Sequence, residues 1–214
     1  MGISQYLKEI GRGKQGARPL AREQAADLFG QVLDGTVSDV EIGAFCIAMR
    51  VKGETPEEMA GFLDATDARL QKVSAPSGKS VVVLPSYNGA RRLPVLTPLL
   101  AALVARAGQP VVIHGTATET SRVFVRDVLQ AMDVQASAKP PALRDGEVAY
   151  VPTEVLCPGL KRLLDVRRLI GLRNSAHSLV KLMNPCSGPA VIVSSYTHPE
   201  YAISMGQVFE LTGA

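Results

Sequence analysis

Two short β-branched runs, Val81-Val82-Val83-Leu84 and Val111-Val112-Ile113, restrict the fold of this chain more than any other feature. Each ends in a turn, Pro85-Ser86-Tyr87-Asn88-Gly89-Ala90-Arg91-Arg92 and His114-Gly115, and each leads on to a helical pattern. Strands that alternate with helices form a largely parallel sheet covered on both faces. Turns after such strands hold phosphates when glycines let backbone N–H groups approach an anion. The first turn has one glycine, no carboxylate and two arginines. It reads as a phosphate-site frame in which positive charge replaces enzyme chemistry.

Before these runs the pattern is helical throughout. Ser4 caps a short helix, Gln5 to Ile10, which Gly11-Arg12-Gly13-Lys14-Gln15-Gly16 breaks. Leu20 to Leu33 carries an apolar stripe, and Gly35 is its stop. Ser38 with Glu41 makes a capping box for the next helix, which Gly53 ends. Thr55-Pro56-Glu57-Glu58 starts a fourth helix, expected to run to about Lys72. The expected domains are a helical bundle over 1–73 and an α/β domain over 79–214, joined by the linker Ser74-Ala75-Pro76-Ser77-Gly78. In the second domain, strands are expected at Val81–Leu84, Val111–Ile113, Glu147–Val151 and, buried, at Ala190–Ser194. Helices are expected at Thr97–Ala107, Arg122–Met132, Cys157–Leu164, Asn174–Met183 and Pro199–Leu211. The chain stops at Ala214 directly after a helix, where an alternating fold leads into another strand. The domain is therefore expected to be cut short, with a sheet edge left unpaired.

No apolar run approaches the ~20 residues of a bilayer span, and Met1 to Gly16 lacks the apolar core of a signal peptide. The expected location is the cytoplasm. Three scattered cysteines (Cys46, Cys157, Cys186) without a C-x-x-C pair argue against disulfides and zinc. The net charge of +3 is unevenly placed. Residues 1–72 carry 9 basic and 11 acidic side chains, residues 79–126 carry 6 and 1, and residues 154–181 carry 6 and 2. Clustering of this kind points to polyanion partners.

The order of bundle, linker and strand–turn–helix units resembles the anthranilate phosphoribosyltransferase family (glycosyltransferase family 3), of the nucleoside phosphorylase-like fold group. In the bundle, Leu28-Phe29 through Asp34-Gly35 and the segment Ile47 to Thr55 are similar to the family's helical dimerisation domain. Asp165 to Asn174 resembles the stretch where family enzymes place an arginine near the aromatic acid, a position nearest Arg168. Leu182-Met183-Asn184-Pro185 and Tyr196-Thr197-His198-Pro199-Glu200 fit the family's later pattern. The resemblance implies a homodimer through the N-terminal helices. It also implies, for an enzyme, phosphoribosyl transfer from phosphoribosyl pyrophosphate to an aromatic amine with magnesium. Substrate contacts would then fall on Ser86, Asn88, Gly89, His114, Gly115 and Arg168.

The departures are chemical. The family's Gly-Thr-Gly-Gly-Asp loop is replaced by Pro85 to Ala90, and its Asn-x-Ser-Thr helix start by Leu93-Pro94-Val95-Leu96-Thr97-Pro98. Its Lys-His-Gly-Asn-Arg loop survives only as Ile113-His114-Gly115-Thr116-Ala117. The acidic pair that holds magnesium in the enzymes would lie beyond Ala214. These changes, with Tyr6 to Gly13, Gly16 to Leu20 and Gly171 to Ser175, resemble the catalytically divergent, DNA-binding YbiB-like branch of the family. The expected function is thus non-catalytic nucleic-acid binding, with no cofactor, metal ligand or membrane partner. The expected phosphate contacts are Arg91 and Arg92 in the first turn and Arg122 and Arg126 on one helix face. Arg167, Arg168, Arg173 and Lys181 belong to a later basic group, and Lys14 and Arg18 flank the glycine-rich turn. Tyr87 is the only aromatic residue inside a basic loop, which gives base stacking little support.

Overall fold

The computed structural model describes residues 2–13, 15–76, 78–90 and 92–213. Lys14 and Arg91, two of the expected phosphate contacts, lie outside these residues. The helical part comprises α1 (Ser4–Ile10), α2 (Arg22–Asp34), α3 (Asp39–Lys52) and α4 (Pro56–Asp67). Then follow β1 (Val81–Pro85), α5 (Thr97–Arg106), β2 (Val111–Gly115), α6 (Val125–Ala131), β3 (Val148–Pro152) and α7 (Thr153–Leu156). The chain ends with α8 (Pro158–Ile170), α9 (Ala176–Leu179), β4 (Ala190–Ile192) and α10 (Pro199–Thr212). None of the described helices is long and apolar enough to cross a membrane.

The chain forms two compact units that interleave along the sequence. Unit 1 holds residues 1–69, 162–182 and 195–214, and unit 2 holds 70–161 and 183–194. Segment 79–214 therefore contributes to both.

Unit 1 is helical. Phe29, Phe45 and Phe62, one from each of α2, α3 and α4, meet in its core, with Phe29 and Phe62 stacked at 4.6 Å and Phe45 edge-on to both. Helices α2 and α4 touch through Gly61, where an added Cβ would lie 2.2 Å from the Arg22 carbonyl oxygen and 2.9 Å from Ala25 Cβ. The expected capping box at Ser38 forms, and the helix start expected at Thr55 is a second one. Glu41 N–H donates to Ser38 Oγ and Glu58 N–H to Thr55 Oγ1, and each glutamate side chain accepts from the N-cap backbone N–H. Gly35 takes the left-handed conformation that stops α2 (φ 71°). Helix α10 packs on α4, and Arg22 ties the two by pairing with Asp64 at 2.6 Å and donating to the Leu211 carbonyl.

Unit 2 is a four-stranded parallel sheet in the order β3-β2-β1-β4, with Val82 opposite Val111 and Val111 opposite Val148. Leu84, Ile113 and Tyr150 on one face pack against Ala101 and Ala105 of α5 and Val125 and Leu129 of α6. All three buried-strand positions of β2 that the sequence marks are fully covered.

Several local expectations change. Helix α4 ends at Asp67, not Lys72, because Val73 and Ser74 bridge to Cys186 and Ala142. The expected linker thus begins as sheet-like backbone. Strand β4 is an edge rather than a buried strand. It pairs only with β1 among the described residues, and Val191 remains 55% exposed. Helix α8 runs to Ile170, past the expected Leu164, while the helix expected over Asn174–Met183 shrinks to α9. Helix α6 starts at Val125 because Val123 pairs with Ala90 and the Asp127 carboxylate caps the Phe124 N–H at 2.9 Å. Arg122 is therefore off the helix, and it shares no helical face with Arg126.

Candidate functional site

At the C-terminal end of β1 and β2 in unit 2, Tyr87 turns inward while Ser86, Asn88, Gly89 and Ala90 stay partly exposed. Ser86 N–H donates to the His114 carbonyl at 2.8 Å. Gly115 lies so close beneath that a Cβ there would come 2.0 Å from the Ser86 oxygen. Tyr87 is buried, its ring edge-on to His114 at 5.4 Å. Its hydroxyl accepts from Thr153 Oγ1 at 3.1 Å and lies 2.8 Å from His114 Nδ1. With the hydroxyl proton given to Nδ1, the imidazole proton sits on Nε2, which has no partner among the described residues. Burial holds the His114 pKa down at about 3 and pushes the Tyr87 phenol up, so both groups are neutral at pH 7.

Asn88 and Gly89 of the turn are also in contact with the chain that follows β2. The Asn88 carbonyl accepts from Arg122 Nη1, and Gly89 (φ 57°) packs on Arg122 Cβ and the Val123 oxygen. Arg122 is only 14% exposed and contacts Glu119 at 2.6 Å, in an ionic contact without hydrogen-bond geometry at Nε. It braces the turn rather than reaching outward. Arg92 is exposed, and exposed Arg126 pairs with Asp127 at 3.1 Å. No group of three or more His, Cys, Asp or Glu able to hold a metal occurs among the described residues. The donor set near the turn, one glutamate engaged by Arg122, does not fit the oxygen shell of magnesium.

The three cysteines are buried and unbridged. Burial raises the thiols of Cys46 and Cys186 to about 11 and about 12, which excludes them as nucleophiles near neutral pH.

Unit 1 holds a different arrangement. A cleft of about 450 Å³ opens between the end of α3, the segment around α9 and the start of α10. Arg173, His177 and Lys181 recur at four-residue spacing along one wall, and Arg50 and Glu54 form another. Ser175 Oγ donates to Glu54 Oε1 at 2.5 Å, so this carboxylate is already engaged. Asn174 holds the wall in place, donating to the Leu163 carbonyl at 2.8 Å and accepting the Ala176 N–H at 3.2 Å. His177 is 7% exposed, with Nδ1 within 3.1 Å of Asn174 Oδ1. Its Nε2 has no partner among the described residues. Burial, then the charges of Arg173, Arg167 and Lys181, bring its pKa down to about 4. Burial and Arg173 lower that of Lys181 as well. These shifts mark a site where positive charge is concentrated.

Of the expected contacts, the structure brings Arg173 and Lys181 into this cleft. Arg167 is near enough to act on His177, exposed Arg168 lies 3.6 Å from Asp165, and Arg18 is exposed in the same unit. Tyr87, the aromatic residue singled out by its loop, is too deeply buried to stack on a base. Aromatic side chains do line the cleft, but they are Tyr196, His198 and Tyr201. Their motif is visible in the sequence. Its nearness to residues 50 and 173 is not.

Residues 4–69 match the helical bundle domain of a glycosyl transferase family. The uncharacterized protein YbiB of Escherichia coli K12 is 40% identical over the whole chain, which spans 68% of its length. Anthranilate phosphoribosyltransferase of Bradyrhizobium sp. ORS 278 is 32% identical over 85% of this chain and 53% of its own, so the chain spans about half of that relative. Among solved structures, anthranilate phosphoribosyltransferase from Thermus thermophilus has a TM-score of 0.77 at 24% identity, covering 99% of this chain and 63% of that one. This last likeness establishes the fold.

Proposed function

Because the chain belongs to the glycosyl transferase family that carries this helical bundle, together with Escherichia coli YbiB, we propose that it is a non-catalytic nucleic-acid-binding protein. It holds the phosphate backbone with little regard to sequence. The observation that carries this reading is the cleft of unit 1, where Arg50, Arg173 and Lys181 face one engaged carboxylate. Cations that neutralise phosphates release condensed counterions, and this release drives binding. The turn after β1 in unit 2 accords with the same reading, since its sequence has a single glycine and no carboxylate, and Arg122 takes up the Asn88 carbonyl. Exposed Arg18, Arg92, Arg126 and Arg168 add positive surface.

The test is binding of a labelled oligonucleotide over a salt series. Three or four neutralised phosphates on a single strand give an affinity loss of roughly 20- to 50-fold between 50 and 200 mM salt. A flat response would overturn the proposal. Phosphoribosyl transfer to an aromatic amine is the competing reading, and the family fold supports it. Titration calorimetry with phosphoribosyl pyrophosphate and magnesium separates the two, because clear binding heat favours the transferase.

The chain acts as a homodimer through the N-terminal helices. In support, an apolar groove runs between α1 and α3, lined by Leu7, Ile10, Ala44, Ile47 and Val51, with Val51 61% exposed. Sedimentation should give twice the chain mass, and Ile47→Lys with Val51→Lys should give the monomer. A monomeric wild-type chain would remove this part of the proposal. The three free cysteines accord with the reducing cytoplasm.

A further inference from the structure

We infer that the unit 1 cleft holds one unpaired nucleotide of a single strand, its base against the tyrosines and its phosphate among the cations. The inference rests on the nucleic-acid reading above and goes further, because backbone binding alone needs neither an aromatic wall nor a buried polar group.

Three observations carry it. Tyr196 and Tyr201 line the cleft and are 56% and 48% exposed, with the His198 ring tilted against that of Tyr201 at 6.0 Å. Exposed tyrosines beside cations are the combination on which unpaired bases stack in sequence-tolerant fashion. His177 is more than nine-tenths buried, yet its Nε2 is unpartnered among the described residues. A buried ring nitrogen left unpaired is costly, and a ligand hydrogen bond removes that cost. A neutral imidazole can donate or accept at Nε2 according to tautomer, which suits any base edge. Finally, the 14-residue helix α10 begins at Pro199 beside the cleft, so its N-terminus adds to the field of Arg173 and Lys181 at a phosphate.

The volume agrees. About 450 Å³ is within the range of small-ligand sites. It leaves no room for a duplex, whose bases are already stacked on one another and must be extruded at a cost to enter any pocket.

The experiment uses the full chain with a short labelled oligothymidine, the same strand carrying abasic sites, and a duplex of equal length at one salt concentration. The strand should bind about tenfold more tightly than the duplex. Tyr196→Ala with Tyr201→Ala should weaken strand binding between about 5- and 100-fold and leave duplex binding unchanged. Abasic substitution should cost the wild type the same factor and cost the variant nothing. Both substitutions are at exposed positions, and an unchanged circular dichroism spectrum verifies folding. Should the wild type bind strand, abasic strand and duplex alike, with the variant matching it, the inference falls while the backbone reading stands. If no nucleic acid binds, both fall. Tight binding of thymidine monophosphate without strand binding would also overturn it, by assigning the cleft to a free nucleotide.

Discussion

Lys52→Met should lower the stability of the folded chain by about 3–5 kcal/mol, read from urea midpoints at constant slope. Glu58 is fully buried, and its carboxylate lies 2.6 Å from Lys52 Nζ. Oε1 accepts the Leu20 N–H at 2.9 Å and Oε2 the Thr55 N–H at 2.9 Å, while Lys52 also donates to the Gly53 carbonyl at 2.7 Å. The group thus joins the chain before α2 to the corner between α3 and α4. Removal of Lys52 alone strands a buried charge. Lys52→Met with Glu58→Met removes that charge but takes the acceptor from the Leu20 and Thr55 N–H groups, so it should recover only part of the loss, and the coupling in this cycle reports on the pair. A single-variant loss below about 1 kcal/mol would refute the account. The same corner presents Gly53, Glu54 and Thr55 to the cleft. Nucleic-acid affinity should consequently fall with stability in Lys52→Met and return only in part in the double variant.

Tyr87→Ala is the second large effect. The ring is 4% exposed and its hydroxyl joins Thr153 to His114, so truncation opens a cavity and leaves both partners unsatisfied, at about 3–5 kcal/mol. Tyr87→Phe keeps the packing and should cost about 1–3 kcal/mol. The pH dependence has a definite sign. His114 and His177 have folded pKa values near 3 and 4, below the ordinary histidine value of 6.5. In that interval the unfolded chain takes protons that the folded chain refuses. Stability is therefore full above about pH 6.5 and falls on acidification, by up to about 1.4 kcal/mol per pH unit for each histidine. His114→Gln should flatten the thermal-melting profile between pH 6 and 4, and an unchanged profile would show that this imidazole is not neutral in the fold.

Capping boxes and strand runs were legible because they are local. Ser38 with Glu41, and Thr55 with Pro56 and Glu58, each specify a helix start within four residues, and the structure places those starts there. Expectations that depended on partners distant in the chain fared differently. Helical spacing put Arg122 and Arg126 on one face, but pairing of Val123 with Ala90 unwinds that turn. Tyr87 stood out as the one aromatic residue in a basic loop, yet it is buried, with its hydroxyl bonded to Thr153 from 66 residues away.

By itself the sequence determined the helical bundle, the parallel character of the sheet and the bias toward positive charge after residue 79, since these follow from periodicity, capping and composition. The tertiary structure alone decided that Arg50, Arg173 and Tyr196 share a cleft. It also decided that Tyr87, in the turn after β1, is buried. Both depend on contacts between segments far apart in the chain, where burial and hydrogen bonding, rather than local preference, determine which side chains turn inward.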